Sequence, residues 1–275
     1  MLTAYRANPL IGPGPAEGSY AWKVEREIER RFKVAHAVVT NSGTAALHAA
    51  LVATGVQGRE VITSPLTFSA TAAAIILAGG RPVFADVHPA TFCITRETVK
   101  RVITENTAAI LPVHLFGHVM DVGSLSGLGY PIIEDSCQAV GCRNHGRFGG
   151  SAGLAGAYSF GSRKQVSAGE GGALVTNVEA VATAARLFMN HGENFGGAVG
   201  YNYRPNEATC KLILQGLHKL KDNTPFLRPY LVKQRGPKDK PYIDRTLDKY
   251  PAFAKYVTGP LPVAHELAER TLCVR

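Results

Sequence analysis

A chain of 275 residues, 45% hydrophobic and 19% charged, has the composition of a folded globular protein, which excludes an intrinsically disordered one. The net charge of +9 rests partly on a late cluster (Lys219, Lys221, Arg228, Lys233, Arg235, Lys238) that reads as a solvated face beside a site for anionic substrates; no nucleic-acid module accompanies it, so no nucleic-acid partner is expected. The longest apolar run, Ala70 to Ala78, is too short to cross a bilayer, and Met1 to Glu17 lacks the apolar core of a signal peptide, so the expectation is a cytoplasmic chain with no membrane partner.

Along the chain, Ala21 to Phe32 reads as an amphipathic helix. His36 to Thr40 is a strand and Gly43 to Thr54 an Ala-rich helix; Glu60 to Ser64 and Phe68 to Leu77 repeat that order. Strands follow at Arg81 to Asp86 and Ala108 to Val113, separated by a polar helical stretch, Thr95 to Ile103. Tyr130 to Glu134, Ala155 to Phe160 and Gly172 to Asn177 complete a sheet of about seven strands. Short apolar strands alternating with helices predict an α/β fold with a mostly parallel sheet covered on both faces. Only Gly161 to Gly171 separates the last two strands, too short and too Gly-rich for a helical crossover, so that pair is predicted antiparallel. After a helix at Glu207 to Leu220, Asp222 to Asp248 reads as extended or mobile, and Leu261 to Cys273 as a closing helix with Pro262 in its first turn.

The five cysteines are odd in number and scattered. Cys137 and Cys142 have no second pair to complete a tetrahedral zinc site, so free thiols in a reducing compartment are expected, and no metal.

Ligands in open α/β sheets bind beyond the carboxyl ends of the strands. Three segments sit at such ends. Thr40 to Thr44 turns from strand to helix, where N–H groups and hydroxyls suit a phosphate, or where Ser42 is simply a helix cap. Glu134-Asp135 follows an apolar strand and could pair with a protonated heterocyclic nitrogen, or be held in a local hydrogen bond; Gln138 lies close enough to reach the same ligand. Ser159 to Lys164, running into Gly169 to Gly172, sets a lysine on a constrained turn between core strands, where a screened amine can lose its proton and act as a nucleophile.

Ser159-Phe-x-x-x-Lys164 followed by Gly169-Glu-Gly-Gly172 resembles the lysine motif of the DegT/DnrJ-type aminotransferases, sugar-modifying pyridoxal-phosphate (PLP) enzymes of fold type I. Ser42-Gly-Thr-Ala-Ala-Leu47, Thr67-Phe68, Val113-His-Leu-Phe-Gly117, Glu134-Asp-Ser-x-Gln-Ala139, Asn190-His-Gly192 and Gly200-Tyr-Asn-Tyr-Arg204 fall in the same order. The likeness runs from about Ile11 to Leu220 and, more faintly, over Leu261 to Cys273.

The resemblance implies a three-layer α/β/α fold with a mostly parallel seven-stranded sheet, residues 1–220 forming the PLP-binding domain and 221–275 a reduced small domain. It implies Lys164 as the Schiff-base lysine that also moves a proton, Asp135 on the pyridine nitrogen, and Gly43, Thr44 and Ser159 on the phosphate. Gln138 would approach the ring hydroxyl. Phe68 would stack on the ring, or else pack in the core. Asn202 would reach the phosphate of a neighbouring subunit, giving a homodimer with shared sites. His191 and Arg204 would contact substrate, while His114 is expected to cap a strand in a neutral state. The activity implied is transfer of an amino group from glutamate or glutamine to a keto-sugar, nucleotide-linked as the resemblance suggests; the alternatives are an aminocyclitol ketone as acceptor, or a shortened, catalytically impaired PLP-binding relative with a regulatory or binding role.

Two departures qualify the likeness. Gly161-Ser162-Arg163 replaces a His-Pro-Thr-like sequence, and Arg163 either favours a neutral lysine or adds a phosphate contact. Lys221 to Pro260 fills a gap where relatives carry a substantial small domain.

Overall fold

Ser19 accepts the N–H of Trp22 and starts helix α1 (Tyr20–Phe32), which Lys33 ends in the left-handed conformation. The computed structural model describes residues 14–192, 199–236 and 238–274; of the stretch read for a leader, residues 1–13 lie outside them. Strand β1 (His36–Thr40) leads into α2 (Gly43–Thr54), followed by β2 (Glu60–Thr63), α3 (Ala70–Leu77), β3 (Arg81–Phe84), α4 (Arg96–Lys100) and β4 (Thr107–Leu111). Then come β5 (Ile133–Asp135), a small hairpin of β6 (Arg143–Asn144) and β7 (Arg147–Phe148), and the pair β8 (Ala155–Ser159) and β9 (Gly172–Thr176). Helices α5 (Glu179–Met189) and α6 (Glu207–Lys219), strand β10 (Arg228–Leu231), helices α7 (Pro251–Ala254) and α8 (Pro262–Arg270), and strand β11 (Thr271–Val274) complete the order.

The fold is α/β with mixed sheets. Strands β3-β2-β4 form a parallel sheet of three, and β1-β9-β8-β5 a sheet of four. Isolated parallel bridges, Ile110 to Ile132 and Val113 to Asp135, join the two sets. Within the second set β5 and β8 are parallel, while β9 runs antiparallel to both β8 and β1. The antiparallel run after Lys164 therefore follows the sequence expectation, because the connection is too short to return to the same edge.

Side-chain alternation assigns the two faces. Val38, Ala157 and Leu174 join a core with Leu47 and Leu51 of α2 and Ala185 of α5. Ala37, Val39, Tyr158, Ala173 and Val175 point the other way, onto Val24, Ile28 and Phe32 of α1 and Ile213 and Leu217 of α6. Helices thus cover both faces. Glu25, buried on α1, is held by a two-toothed ion pair with Arg186 of α5.

Three readings change. Phe68 and Ser69 precede α3 rather than opening it, and the helical stretch expected over Thr95 to Ile103 shrinks to five residues behind a Thr95–Thr98 capping box. The closing helix stops at Arg270, because Thr271 to Val274 pairs antiparallel with Arg228 to Leu231. Local periodicity carries no sign of a strand partner some forty residues away. The span Asp222 to Asp248, read as extended or mobile, contributes that partner strand and buries Phe226, Leu227 and Leu247 in the same core as α2. Leu247 N–H donates to the Pro65 carbonyl, and Asp86 accepts the N–H groups of Val263 and Ala264 at the start of α8.

Candidate active site

The carboxyl ends of β1, β2, β5 and β8 lie on one edge, so the segments after them converge. Ser42 caps α2 by accepting the Ala45 N–H, leaving the N–H groups of Gly43 and Thr44 ahead of the first intrahelical bond, as at any helix N-terminus. Gly43 is required by close approach: a Cβ there would stand 2.8 Å from Cys137 Sγ and 2.8 Å from Ser159 Cβ. That contact joins all three expected segments at one point. Gly172 is as constrained, since a Cβ would meet the Ser42 backbone at 2.4 Å.

Glu134 and Asp135 are neighbours that serve opposite faces, because successive residues of a strand alternate. Glu134 Oε2 accepts from Gly150 N–H at 2.9 Å and pairs with His114 Nε2 at 2.7 Å, while Oε1 accepts from Ala152 and Gly153 at 2.8 and 2.7 Å. Burial alone would raise this carboxyl, yet His114 and the N–H groups of Gly150 and Gly153 hold it below the usual carboxylate range. His114 Nδ1 accepts the Met120 N–H at 3.1 Å, so a proton sits on Nε2, which donates to Glu134. His114 therefore fastens a buried carboxylate.

Asp135, also buried, faces the other side. Its Oδ2 accepts from Thr71 Oγ1 at 2.7 Å and its Oδ1 from Cys137 N–H at 3.1 Å. Thr71, in turn 2.9 Å from Thr67 Oγ1, is a site neighbour the sequence reading missed. Its signal is a lone hydroxyl in the apolar run of α3.

Lys164 stands half-buried after β8, its Nζ 4.6 Å from the centre of the Phe226 ring. Burial lowers its pKa; Cys137 and Asp135 oppose that, and Arg163 adds to it. Of the two effects expected of Arg163, this one favours the neutral amine. No ion pair reaches Lys164 among the described residues. Ser159 Oγ accepts the Gly161 N–H at 3.4 Å.

Gln138 is buried, with Oε1 accepting the Phe116 N–H at 3.1 Å, so its amide NH2 is the end left for a ligand. Phe68 is 60% exposed at the same edge, which removes plain core packing as its explanation. Asn202 is exposed; its carbonyl accepts from Asn41 Nδ2 at 3.4 Å, and Asn41 N–H donates to the Tyr203 carbonyl at 2.7 Å. The strand-like bridge between Asn190 and Asn202 brings His191 and Arg204 beside them, and Arg204 Nη1 donates to Asn190 Oδ1. The five cysteines are free thiols, and no group of three potential metal ligands occurs among the described residues.

A half-buried lysine amine, a buried carboxylate with two donors and a helix N-terminus packed against Cys137 and Ser159 suit a phosphorylated aldehyde cofactor with a basic ring nitrogen. Comparison with known proteins agrees. The chain is 38% identical over 205 residues to a pleiotropic regulatory protein of Geobacillus stearothermophilus, covering 71% of this chain and 55% of that protein. It is 35% identical over 211 residues to a GDP-perosamine synthase of Caulobacter vibrioides, covering 72% of this chain and 57% of the other. The structure of DesV from S. venezuelae, in complex with a ketimine intermediate, superposes with a TM-score of 0.87 at 27% identity, over 99% of this chain and 88% of that one. The chain spans little more than half the length of these two curated relatives. Residues 14–225 match the model of the DegT/DnrJ/EryC1/StrS aminotransferase family, and the chain belongs to that family.

Proposed function

We propose that this chain forms the cofactor-binding part of a PLP-dependent aminotransferase that moves an amino group from glutamate or glutamine to a keto-sugar carried on a nucleotide. The observation that carries the reading is the convergence of Lys164, an unpaired and partly dehydrated amine, with the buried Asp135 on one sheet edge. When bound, PLP supplies an electron-withdrawing ring that stabilises negative charge on the carbon beside the nitrogen being transferred.

The residues have separate tasks. Asp135, oriented by Thr71 Oγ1 and Cys137 N–H, would hold a proton on the ring nitrogen. Lys164 would bind the cofactor through Nζ and, once released, carry the proton between donor carbon and cofactor. Gly43 and Thr44 N–H groups and Ser159 Oγ would take the phosphate, and the Gln138 amide would orient the ring hydroxyl. Phe68 would cover one ring face and exclude water. The exposed Asn202 would complete the phosphate site of a second subunit, with His191 and Arg204 contacting substrate; exposed Phe68, Leu77, Val199 and Tyr201 give that homodimer apolar area to cover. We read the two bridged strand sets as one mostly parallel seven-stranded layer of a three-layer α/β/α domain ending near residue 220, with the residues after it as a small domain whose Phe226, Leu227 and Leu247 pack into the same core. No helix among the described residues is long and apolar enough to cross a membrane.

A second reading, a PLP-binding regulator without turnover, is favoured by the likeness to a pleiotropic regulatory protein. Glutamate separates the two. Added to PLP-loaded protein, it should replace the absorbance of lysine-bound cofactor with that of its amine form, and a nucleotide-linked keto-sugar should restore the first band. Bound cofactor that ignores glutamate and glutamine would favour the regulator. Keto-cyclitols in the same assay test the acceptor.

A further inference from the structure

The carboxyl-terminal segment reaches the lysine directly. Asn223 N–H donates to the Gly141 carbonyl at 2.9 Å, and the Thr224 carbonyl accepts from Cys142 Sγ at 3.3 Å and Gln165 Nε2 at 3.5 Å. Phe226 N–H then donates to the Phe116 carbonyl at 3.2 Å. Phe116 is held at φ 60°, a left-handed conformation that is costly for a bulky residue, while its own N–H donates to Gln138. Gln165 Nε2 also donates to the Gln138 carbonyl, so the segment and Gln138 share two connections. Tyr242 packs edge-on against Phe226 at 5.3 Å between ring centres and against Phe116 at 6.1 Å.

We propose that Phe226 is a positioning residue for Lys164: its ring walls one side of the amine against water and aims it toward Asp135, and Tyr242 wedges that ring in place. This rests on the reading of Lys164 as the cofactor lysine. The geometry is a buried Phe226 ring 4.6 Å from Nζ, anchored at its own backbone and backed by a second ring. An aromatic face also attracts a charged ammonium, which opposes the effect. Burial prevails, and the charged or titratable groups facing Lys164 are Asp135, Cys137 and Arg163. Tyr242 faces the same three groups and Cys273, its phenol pushed up by burial, with Arg163 opposing the rise and Asp135, Cys273 and Cys137 adding to it.

The test is competitive acetylation of cofactor-free protein across a pH series, read at each lysine by mass spectrometry. The midpoint of each labelling curve reports the amine's protonation and is insensitive to how accessible it is. Lys164 in the wild type should titrate below the exposed Lys100 and Lys219. Phe226→Ala should move its midpoint up toward theirs, whereas Phe226→Leu, which keeps the wall dry, should restore most of the wild-type value. Tyr242→Ala should move it the same way by less, and serves where Phe226→Ala does not fold. An unchanged Lys164 midpoint in a folded Phe226→Ala or Tyr242→Ala variant overturns the inference. Because no cofactor is added, the result is independent of whether the protein transaminates; a missing cofactor band would remove the proposed function and leave this measurement intact.

Discussion

Two adjacent carboxylates divide the work at the end of β5. Read from the residues alone, Glu134-Asp135 is either a ligand partner or held in a local hydrogen bond, and the resemblance singles out Asp135. The structure ties Glu134 into local bonds and turns Asp135, bonded to Thr71 and Cys137, to the other side. Strand alternation makes them face apart, but choosing which side holds the ligand needs the loop Gly150 to Gly153, whose N–H groups claim Glu134. The folded carboxyl of Glu134 titrates below its ordinary 4.5, so its stabilisation is complete above that value and is lost as pH falls through the lower folded value. Glu134→Gln leaves donors aimed at a neutral oxygen, and should cost on the order of 3 kcal/mol at neutral pH. Denaturant melts at pH 7 and at acid pH check this: the deficit should shrink in acid, and an equal deficit at both values would contradict it. Thr71, by contrast, was hidden because a threonine in a helix usually bonds its own backbone.

At the scale of elements, the turn from β1 to α2 and the antiparallel return from β8 to β9 were legible. The first has a Ser cap and a Gly, and the second a connection too short for a crossover. What periodicity could not supply is how tightly the two pack, which Gly43 reveals. Gly43→Ala would force Cys137 and Ser159 apart and should destabilise by roughly 1–3 kcal/mol through overpacking, with weaker PLP binding. Thermal melting with and without PLP reads both effects. A variant with unchanged melting and unchanged binding would show that the two segments yield freely and do not form a fixed cradle.

Across the whole molecule, the sequence separates a well-patterned first part from a basic, irregular remainder, and the remainder is where expectation and structure part. Its strand β10 pairs with the far end of the chain, its Leu247 joins the main core, and its Phe226 stands against Lys164. None of these contacts follows a local period, because each depends on a partner distant in sequence. The central claim nevertheless concerns one amine. Borohydride reduction of the protein after incubation with PLP, followed by peptide mapping, tests it most directly. The account predicts a phosphopyridoxyl group on Lys164 and its loss in Lys164→Ala; a label scattered over exposed lysines, with Lys164 unmodified, would contradict it.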